Sequence, residues 1–236
     1  MNTDQQLELC RAYLKTSAIS ESRGKGLEKP DGPVVTISRA AGARGSAIAG
    51  LLVKQLADDP AIPSLRPWTL FDQNLLQQVI KDHRLPENTA EYFPEDKPDE
   101  IRHMIGELLG LHPSSSTTLR KIAETIRRIS KAGNAVIVGR GGNFITQDIA
   151  RSVHVRLVGS EAARVRHFAR RAGISEEVAA AEVAMIDRGR KRYIKSSFKR
   201  DIEDPRSYDL VINTDRFTDG QAASIISQAL RRRCEV

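Results

Sequence analysis

The chain has few of the residues that characterise secreted or metal-dependent proteins. Two cysteines, Cys10 and Cys234, occur in 236 residues; they lie near opposite ends and form no CxxC pair. This scarcity argues against a disulfide framework or a zinc site and favours a reducing compartment. The five histidines are scattered, without the spacing of a metal centre. We therefore expect a cytoplasmic protein.

Long apolar runs are also missing. No stretch approaches the roughly 20 apolar residues that a membrane span needs, and the N-terminal sequence MNTDQQLELC lacks the pattern of a secretory signal. The apolar content of 40% and the charged content of 28% are those of an ordinary globular protein. We expect no membrane partner, and the length is sufficient for one substantial domain.

Aromatic residues make up only 5% of the chain, whereas basic residues are abundant. The net charge is +7, and eleven Lys and Arg residues fall between Arg164 and Arg200. An excess of positive charge favours the binding of either nucleic acid or a small polyanion such as a nucleotide. Because aromatics do not interleave with the basic run, a stacking platform for single strands is poorly supported. A solvated basic helix face is the other interpretation.

Two regions are predicted from composition. Residues 1–32 contain a short amphipathic helix over 4–15 and a flexible linker rich in Ser, Gly, Lys, Glu and Pro over 17–32. This region is a candidate arm for a protein partner or for dimerisation. Residues 33–236 form the main domain.

Five short strands rich in Val and Ile alternate with helices in the main domain. This order predicts an α/β fold with a five-stranded parallel sheet flanked by helices. The strands are predicted at 34–38, 68–71, 134–138, 153–158 and 209–212. The helices are predicted at 47–57, 73–81, 99–111, 115–131, 160–171, 175–198 and 218–233, with a loop over 84–98 and a helical lid over roughly 173–204.

The loop after the first strand contains Gly42-Ala43-Arg44-Gly45-Ser46. Small residues before a helix N-terminus allow successive backbone N–H groups to face a phosphate. Compared with the GxxxxGK[ST] pattern, Gly45 stands at the Lys position and Ser46 at the position of the Mg²⁺-binding hydroxyl. Arg39 or Arg44 is a candidate for the missing charge. The alternative is a tight turn in which the glycines serve geometry alone.

Two other strand ends carry unusual residues, and ligands bind at the carboxyl ends of strands in such sheets. Arg140 lies among Gly139, Gly141 and Gly142, where its guanidinium can approach a phosphate or pair with a carboxylate. Asp72 follows the second strand and is a candidate for positioning a substrate hydroxyl or a metal-bound water. Its alternative role is an N-cap of the next helix.

A basic helical segment runs from Asp187 through Arg188, Arg190 and Arg192. Asp187 and Arg190 share a helix face through their i,i+3 spacing. Cations on a mobile lid are suited to phosphoryl transfer, because they gather around the transferring phosphoryl group as the site closes. Salt bridging on a solvated surface is the alternative.

Together these segments resemble the cytidylate kinase-like family of P-loop nucleoside monophosphate kinases. The matching pieces run from residue 34 to 214 and include TISR with Gly42 and Gly45-Ser46, Phe71-Asp72, Gly139-Arg140-Gly141, DxxRxxYIK from Asp187 and DPxxYDLVINT from Asp204. The resemblance implies a P-loop NTPase-type fold. It also implies ATP and Mg²⁺ as cofactors, with a nucleoside monophosphate, such as CMP, or another small molecule as acceptor.

The resemblance also implies roles for particular residues. Residues 42–46 would bind the ATP phosphates, with Ser46 on the metal. Asp72 would form part of the acceptor site. The monophosphate would contact Arg140, Asp187 and Arg190, while Arg188, Arg190 and Arg192 would close over the phosphates.

The sequence departs from true cytidylate kinases at two positions. The P-loop Lys is absent, and Gly141 replaces the Asp that follows the Arg. Losing one group that stabilises the charge developing in the transition state commonly lowers the rate by a factor of roughly 10²–10³. Two hypotheses therefore stand side by side: an ATP-dependent phosphotransferase, and a nucleotide-binding regulatory module with weak or no kinase activity.

Overall fold

The fold was obtained as a computed structural model, which describes residues 32–62, 67–72 and 116–235. The predicted N-terminal helix and linker, the helices at 73–81 and 99–111 and the loop at 84–98 lie outside the described residues, apart from Gly32 at the end of the linker.

A five-stranded parallel sheet forms the centre of the domain, as the sequence predicted. Its spatial order is β2-β3-β1-β4-β5, so β1 pairs with β3 on one side and with β4 on the other. Runs such as VVTI and AVIV suit these inner strands because both faces are covered. The strands are β1 (Val34–Arg39), β2 (Thr69–Phe71), β3 (Ala135–Val138), β4 (Ser152–Val158) and β5 (Leu210–Asn213).

Six helices are present in the described part of the chain, and the bounds of five of them differ from the predicted ones by one or two residues. They are α1 (Gly45–Ala57), α2 (Ser116–Ala132), α3 (Gly142–Ile145), α4 (Glu161–Ala172), α5 (Glu176–Phe198) and α6 (Asp219–Cys234). The short helix α3 was not predicted, because its four residues carry no periodic pattern.

Local sequence signals determine where the later helices begin and end. The hydroxyls of Ser160 and Ser175 accept hydrogen bonds from the third residues of α4 and α5, as N-caps do. Gly173 ends α4 in the left-handed conformation, as predicted. Thr218 and Gln221 form a reciprocal capping box at the start of α6.

The helices cover the two faces of the sheet differently. On one face, α1 and α6 pack together over β1, β3, β4 and β5 and form the largest apolar core. On the other face, α2 and α3 pack over β2, β3 and β1 around Phe71, Ile129 and Ile137. The helices α4 and α5 form a third cluster, which includes Ala41 of the β1–α1 loop. This cluster brings α5 close to the carboxyl end of β1.

Among the described residues, no helix has the length and apolar character needed to cross a bilayer.

Candidate functional site

The β1–α1 loop, residues 40–44, is packed tightly against α4. Gly42 has a φ of +75°, and a Cβ at this position would lie 2.8 Å from the carbonyl carbon of Arg164. Only glycine satisfies both requirements, since a side chain would be strained and would collide with backbone. The close approach to α4 therefore explains why glycine stands at position 42.

Two side chains hold the loop at Ala41. The carboxylate of Asp187 accepts a hydrogen bond of 2.7 Å from the Ala41 N–H, while Nη1 of Arg164 donates to the Ala41 carbonyl at 2.8 Å. Arg164 and Asp187 also pair with each other at 2.7 Å. The structure thus gives Asp187 a positioning role at the loop; its predicted contact with a monophosphate stays a prediction.

The N-terminus of α1 follows the loop. Within the described part of the chain, no acceptor pairs with the backbone N–H groups of Gly45, Ser46 or Ala47. The Ser46 side chain is exposed beside them. A helix N-terminus with unpaired N–H groups favours an anion, and the binding of a phosphate by residues 42–46 stays a prediction.

The guanidinium of Arg44 is engaged in other contacts. The residue adopts a left-handed backbone with a φ of 58°. Its Nη2 donates to the carbonyls of Thr214 at 2.5 Å and Phe217 at 2.7 Å, and its Nε lies 3.1 Å from Asp219. These contacts tie the start of α1 to the segment before α6. A role for the Arg44 charge at a phosphate would require them to break.

The Arg39 side chain lies between the carboxyl ends of β1 and β3. Its stem rests on Gly45, where a Cβ would lie 3.0 Å from the Arg39 Cγ. Its guanidinium lies over Gly139, where a Cβ would be 3.2 Å from the Arg39 Cζ. The two glycines, from β1–α1 and from the end of β3, therefore make room for one side chain. This reason for their presence is not evident from sequence spacing.

The electrostatic surroundings of Arg39 are strongly positive. Burial, followed by the charges of Arg190, Arg140 and Arg156, places the pKa of Arg39 well below its ordinary value, whereas Asp72 acts in the opposite direction. No carboxylate of the described residues lies within 4.0 Å of its guanidinium. Arginine remains protonated in proteins, so this cluster favours a bound anion.

The segment after β3 forms one wall of the site. Arg140 and Gly141 are both left-handed, with φ values of 57° and 68°. The Arg140 carbonyl accepts a weak hydrogen bond of 3.5 Å from the Tyr193 hydroxyl. A Cβ on Gly141 would lie 2.6 Å from Cζ of Phe198, whose ring stacks on Phe144. A side chain at position 141 would be strained by the positive φ and would meet the Phe198 ring.

These residues surround a small cavity of about 40 Å³ between the ends of β1 and β3 and the side of α5. Arg190 enters it from α5, and its Nη1 donates to the Arg39 carbonyl at 3.1 Å. Burial lowers the pKa of Arg190 to about 10, with Asp187 opposing the shift. The cavity has room for a few atoms. The structure brings Arg39, Arg140 and Arg190 together here, with Asp72 in electrostatic range of Arg39.

Other predicted residues are placed differently. Ala43 is a buried residue of the β1–α1 loop, and Arg188 is exposed on α5. Within residues 32–62, 67–72 and 116–235, no group of three His, Cys, Asp or Glu side chains is placed to hold a metal ion.

Two arginines near the site were not singled out from the sequence. Arg164 holds the loop, and Arg156 projects from the middle of β4 to donate a 2.8 Å hydrogen bond to the Ser38 hydroxyl. The signal for Arg156 is present in the strand SVHVRLV, where a charged residue interrupts a buried apolar run. The signal for Arg164 was hidden among the basic residues of an amphipathic helix.

Residues 34–216 match the sequence model of the cytidylate kinase-like family. The chain belongs to the cytidylate kinase-like family. The match covers the sheet, the loop and the three arginines of the cavity, so the resemblance seen in the motifs is confirmed. As a member of this family, the chain has a nucleotide-kinase-like fold.

Individual relatives are distant. A uronate isomerase from Corynebacterium glutamicum is 24% identical over 123 residues, which are 52% of this chain and 23% of the isomerase; the match spans about a quarter of that relative. The solved structure of an uncharacterized protein from Eubacterium ventriosum aligns with a TM-score of 0.62 at 19% identity, over 84% of this chain and 98% of that one. Shikimate kinase from Bacteroides thetaiotaomicron aligns with a TM-score of 0.45 at 11% identity, over 86% and 99%. The Eubacterium structure supports the fold alone.

Proposed function

We propose that the protein is an ATP-dependent phosphotransferase that transfers the γ-phosphate to a nucleoside monophosphate, CMP-like, or to another small acceptor. The observation that carries this proposal is the convergence of Arg39, Arg140 and Arg190 at the ends of β1 and β3. Phosphoryl transfer depends on preorganised cations around the transferring group more than on covalent chemistry of the protein.

The charge balance of the cluster supports an anionic ligand. Three guanidiniums gather in a partly desolvated space, with Asp72 as the acidic group that acts on Arg39. Burial is the largest cause of the lowered pKa values of Arg39 and Arg190, and the positive charges of neighbouring arginines lower both further. A phosphate relieves the repulsion and accepts bidentate hydrogen bonds from the guanidiniums.

The residues of the chain fit ATP and Mg²⁺ in part. The unpaired N–H groups of Gly45 and Ser46 would hold phosphate oxygens, and the Ser46 hydroxyl would bind the metal. When bound, ATP–Mg²⁺ supplies the phosphoryl group and a divalent charge. Arg39, whose stem lies on Gly45, would take the place of the missing Lys.

The acceptor would lie on the β2–β3 side of the same cavity. Arg140 and Arg190 would orient its anionic group, and Asp72 would hold an acceptor hydroxyl and receive its proton. The cavity of about 40 Å³ must widen to admit an acceptor. We infer that α5 moves relative to the sheet when the ligand enters, in keeping with the predicted lid over 173–204.

A coupled ADP-release assay tests the proposal. Wild-type protein is incubated with ATP, Mg²⁺ and each common nucleoside monophosphate. We expect turnover with at least one, and a drop in kcat/KM of roughly 100-fold in Arg39→Met. The control is Arg166→Met, which removes one positive charge from an exposed site on α4. Measurable ATP binding without turnover of any monophosphate would rule out the nucleotide-kinase form.

One observation favours a second candidate, a nucleotide-binding regulatory module with little or no catalysis. The loop lacks its Lys, and Arg44 is committed to Thr214, Phe217 and Asp219. Calorimetric titration with ATP separates the candidates. A regulatory module binds one nucleotide tightly and shows no phosphoryl transfer in long incubations, whereas a kinase releases ADP.

A further inference from the structure

A second cleft lies over β4 and β5, on the face of the sheet where α2 and α3 cover only β2, β3 and β1. Its floor is formed by β4 and β5, one wall by α5, and its roof by the segment from Ile202 to Tyr208. The volume is about 320 Å³, which is at the lower end of the range for small-molecule sites. We call it the Arg156 cleft, after the residue that lines its floor. It shares Arg190 with the proposed kinase site, but Arg156 has no role in that reaction.

Arg156 is an unusual residue for the floor of a cleft. It lies on β4 between two paired strands, and only 8% of its surface is exposed. Its Nη1 donates to the Ser38 hydroxyl at 2.8 Å, and among the described residues no carboxylate lies within 4.0 Å of its guanidinium. A buried arginine without an ion partner is costly, so the remaining donors call for an anion.

The acidic residues of the cleft are already paired. Asp187 is bound by Arg164 and by the Ala41 N–H. Glu203 is bound by Lys191 at 2.6 Å. Of the four cations that line the cleft, Arg156 and Arg190 therefore have no carboxylate within 4.0 Å among the described residues, although Asp187 acts on both guanidiniums over a longer distance.

The four cations that line the cleft exceed its two carboxylates, Asp187 and Glu203, by two charges, and this excess matches a dianion. We propose that the Arg156 cleft binds the phosphate group of a small phosphate monoester, or phosphate itself, with Arg156 and Arg190 as its cationic ligands. Phosphate accepts bidentate hydrogen bonds from guanidinium, which suits two planar donors better than a single carboxylate would. The organic part of a monoester would contact Ile202, Pro205 and Val211, and Val211 is 48% exposed. The proposal does not depend on the kinase reaction.

The test uses the full chain and inorganic phosphate as the probe, in calorimetry and thermal denaturation. We expect Arg156→Met to weaken phosphate binding at least tenfold, because it removes charge-assisted hydrogen bonds to the anion. In phosphate-free buffer the same variant should be at least as stable as wild type, since it removes an uncompensated buried charge. A purely structural Arg156 predicts a lower Tm and unchanged phosphate affinity.

Two matched variants test whether a loss of phosphate binding comes from a general charge effect or from the cavity between β1 and β3. Arg166→Met makes the same substitution on an exposed part of α4 and should retain wild-type phosphate affinity. Arg140→Met changes the cavity and leaves the Arg156 cleft intact, so Arg156-dependent binding should persist. The proposal is wrong if Arg166→Met weakens binding as much as Arg156→Met does, or if Arg140→Met alone abolishes binding.

Two further titrations separate the sources of the phosphate group. Glycerol 3-phosphate and a nucleoside monophosphate are compared with inorganic phosphate. A monoester site gives tighter binding of an ester, and Arg156→Met removes that gain. Equal affinity for all three compounds, still dependent on Arg156, assigns the cleft to free phosphate. Affinities that do not change with Arg156→Met overturn the proposal in either form.

Discussion

The carboxylate of Asp187 binds the backbone N–H of Ala41 at 2.7 Å, 146 residues earlier in the chain. Through this contact the long helix α5 controls the loop that precedes α1. Arg164 completes the arrangement from α4 by binding the Ala41 carbonyl and the other oxygen of Asp187. Three separate elements thus meet at one residue, so a movement of α5 would be transmitted to the loop directly.

Asp187→Ala tests this connection. The variant leaves the Ala41 N–H and the Arg164 guanidinium without their partner, so we expect the free energy of unfolding to fall by about 2 kcal/mol. Nucleotide affinity should fall with it. Chemical denaturation and calorimetry measure the two effects. Glu124→Gln, which breaks an exposed ion pair on α2, is the control and should change neither. Unchanged stability in Asp187→Ala would show that the contact is not significant.

Gly139→Ala tests whether the space above Gly139 is reserved for Arg39. Gly139 and Gly173 both have positive φ, so alanine at either position should cost roughly 1–2 kcal/mol of stability. At Gly173 the added Cβ meets no atom within 4 Å, whereas at Gly139 it displaces the Arg39 guanidinium. ADP release should therefore fall in Gly139→Ala and not in Gly173→Ala. Equal activities of the two variants would contradict the assignment.

From the buried imidazole of His154 we predict how the free energy of unfolding depends on pH. Burial lowers its pKa below the ordinary 6.5, and its ring hydrogen-bonds with Thr36 at 2.8 Å and Ser152 at 3.1 Å. Below about pH 6.5 the unfolded chain takes up a proton that the folded chain excludes, so stability falls as the pH falls. Denaturation curves between about pH 5 and 8 should show this slope, and His154→Gln should flatten it.

The control for this slope is His167→Gln. His167 also has a lowered pKa, caused by burial and by Arg44 and Arg170, but it is more exposed than His154. The variant should keep most of the pH dependence. If the slope survives in His154→Gln and disappears in His167→Gln, then His167 on α4, and not His154, causes the pH dependence.

Arg231 and Arg232 form a matched pair on α6. Asp59, whose side chain is only 4% exposed, is bound by Arg231 at 2.8 Å. Arg231→Met should cost about 1–2 kcal/mol, less than the roughly 3–5 of a fully buried pair, because Arg231 itself is half-exposed. Arg232→Met removes the same charge from an exposed site and should leave the Tm unchanged. Equal Tm values for the two variants would contradict the prediction.

The sequence by itself determined the order of strands and helices in the described chain. Short runs such as AVIV indicated buried parallel strands, while Ser160, Ser175 and Gly173 marked helix ends. These signals are local, because hydrogen bonds within a few residues and the two-residue or 3.6-residue periods produce them. The glycine-rich strand ends and the family motifs also predicted where a nucleotide site would lie.

Only the tertiary structure decided what each charged residue does. The sequence offered Arg39 and Arg44 as equal candidates for the missing cation, and packing gave them different surroundings: Arg39 lies over Gly139 among other arginines, and Arg44 binds Asp219. It also brought Arg156 into a cleft with Arg190. Such roles depend on contacts between residues more than a hundred positions apart, where the free energy of a charge is set by burial and by its neighbours.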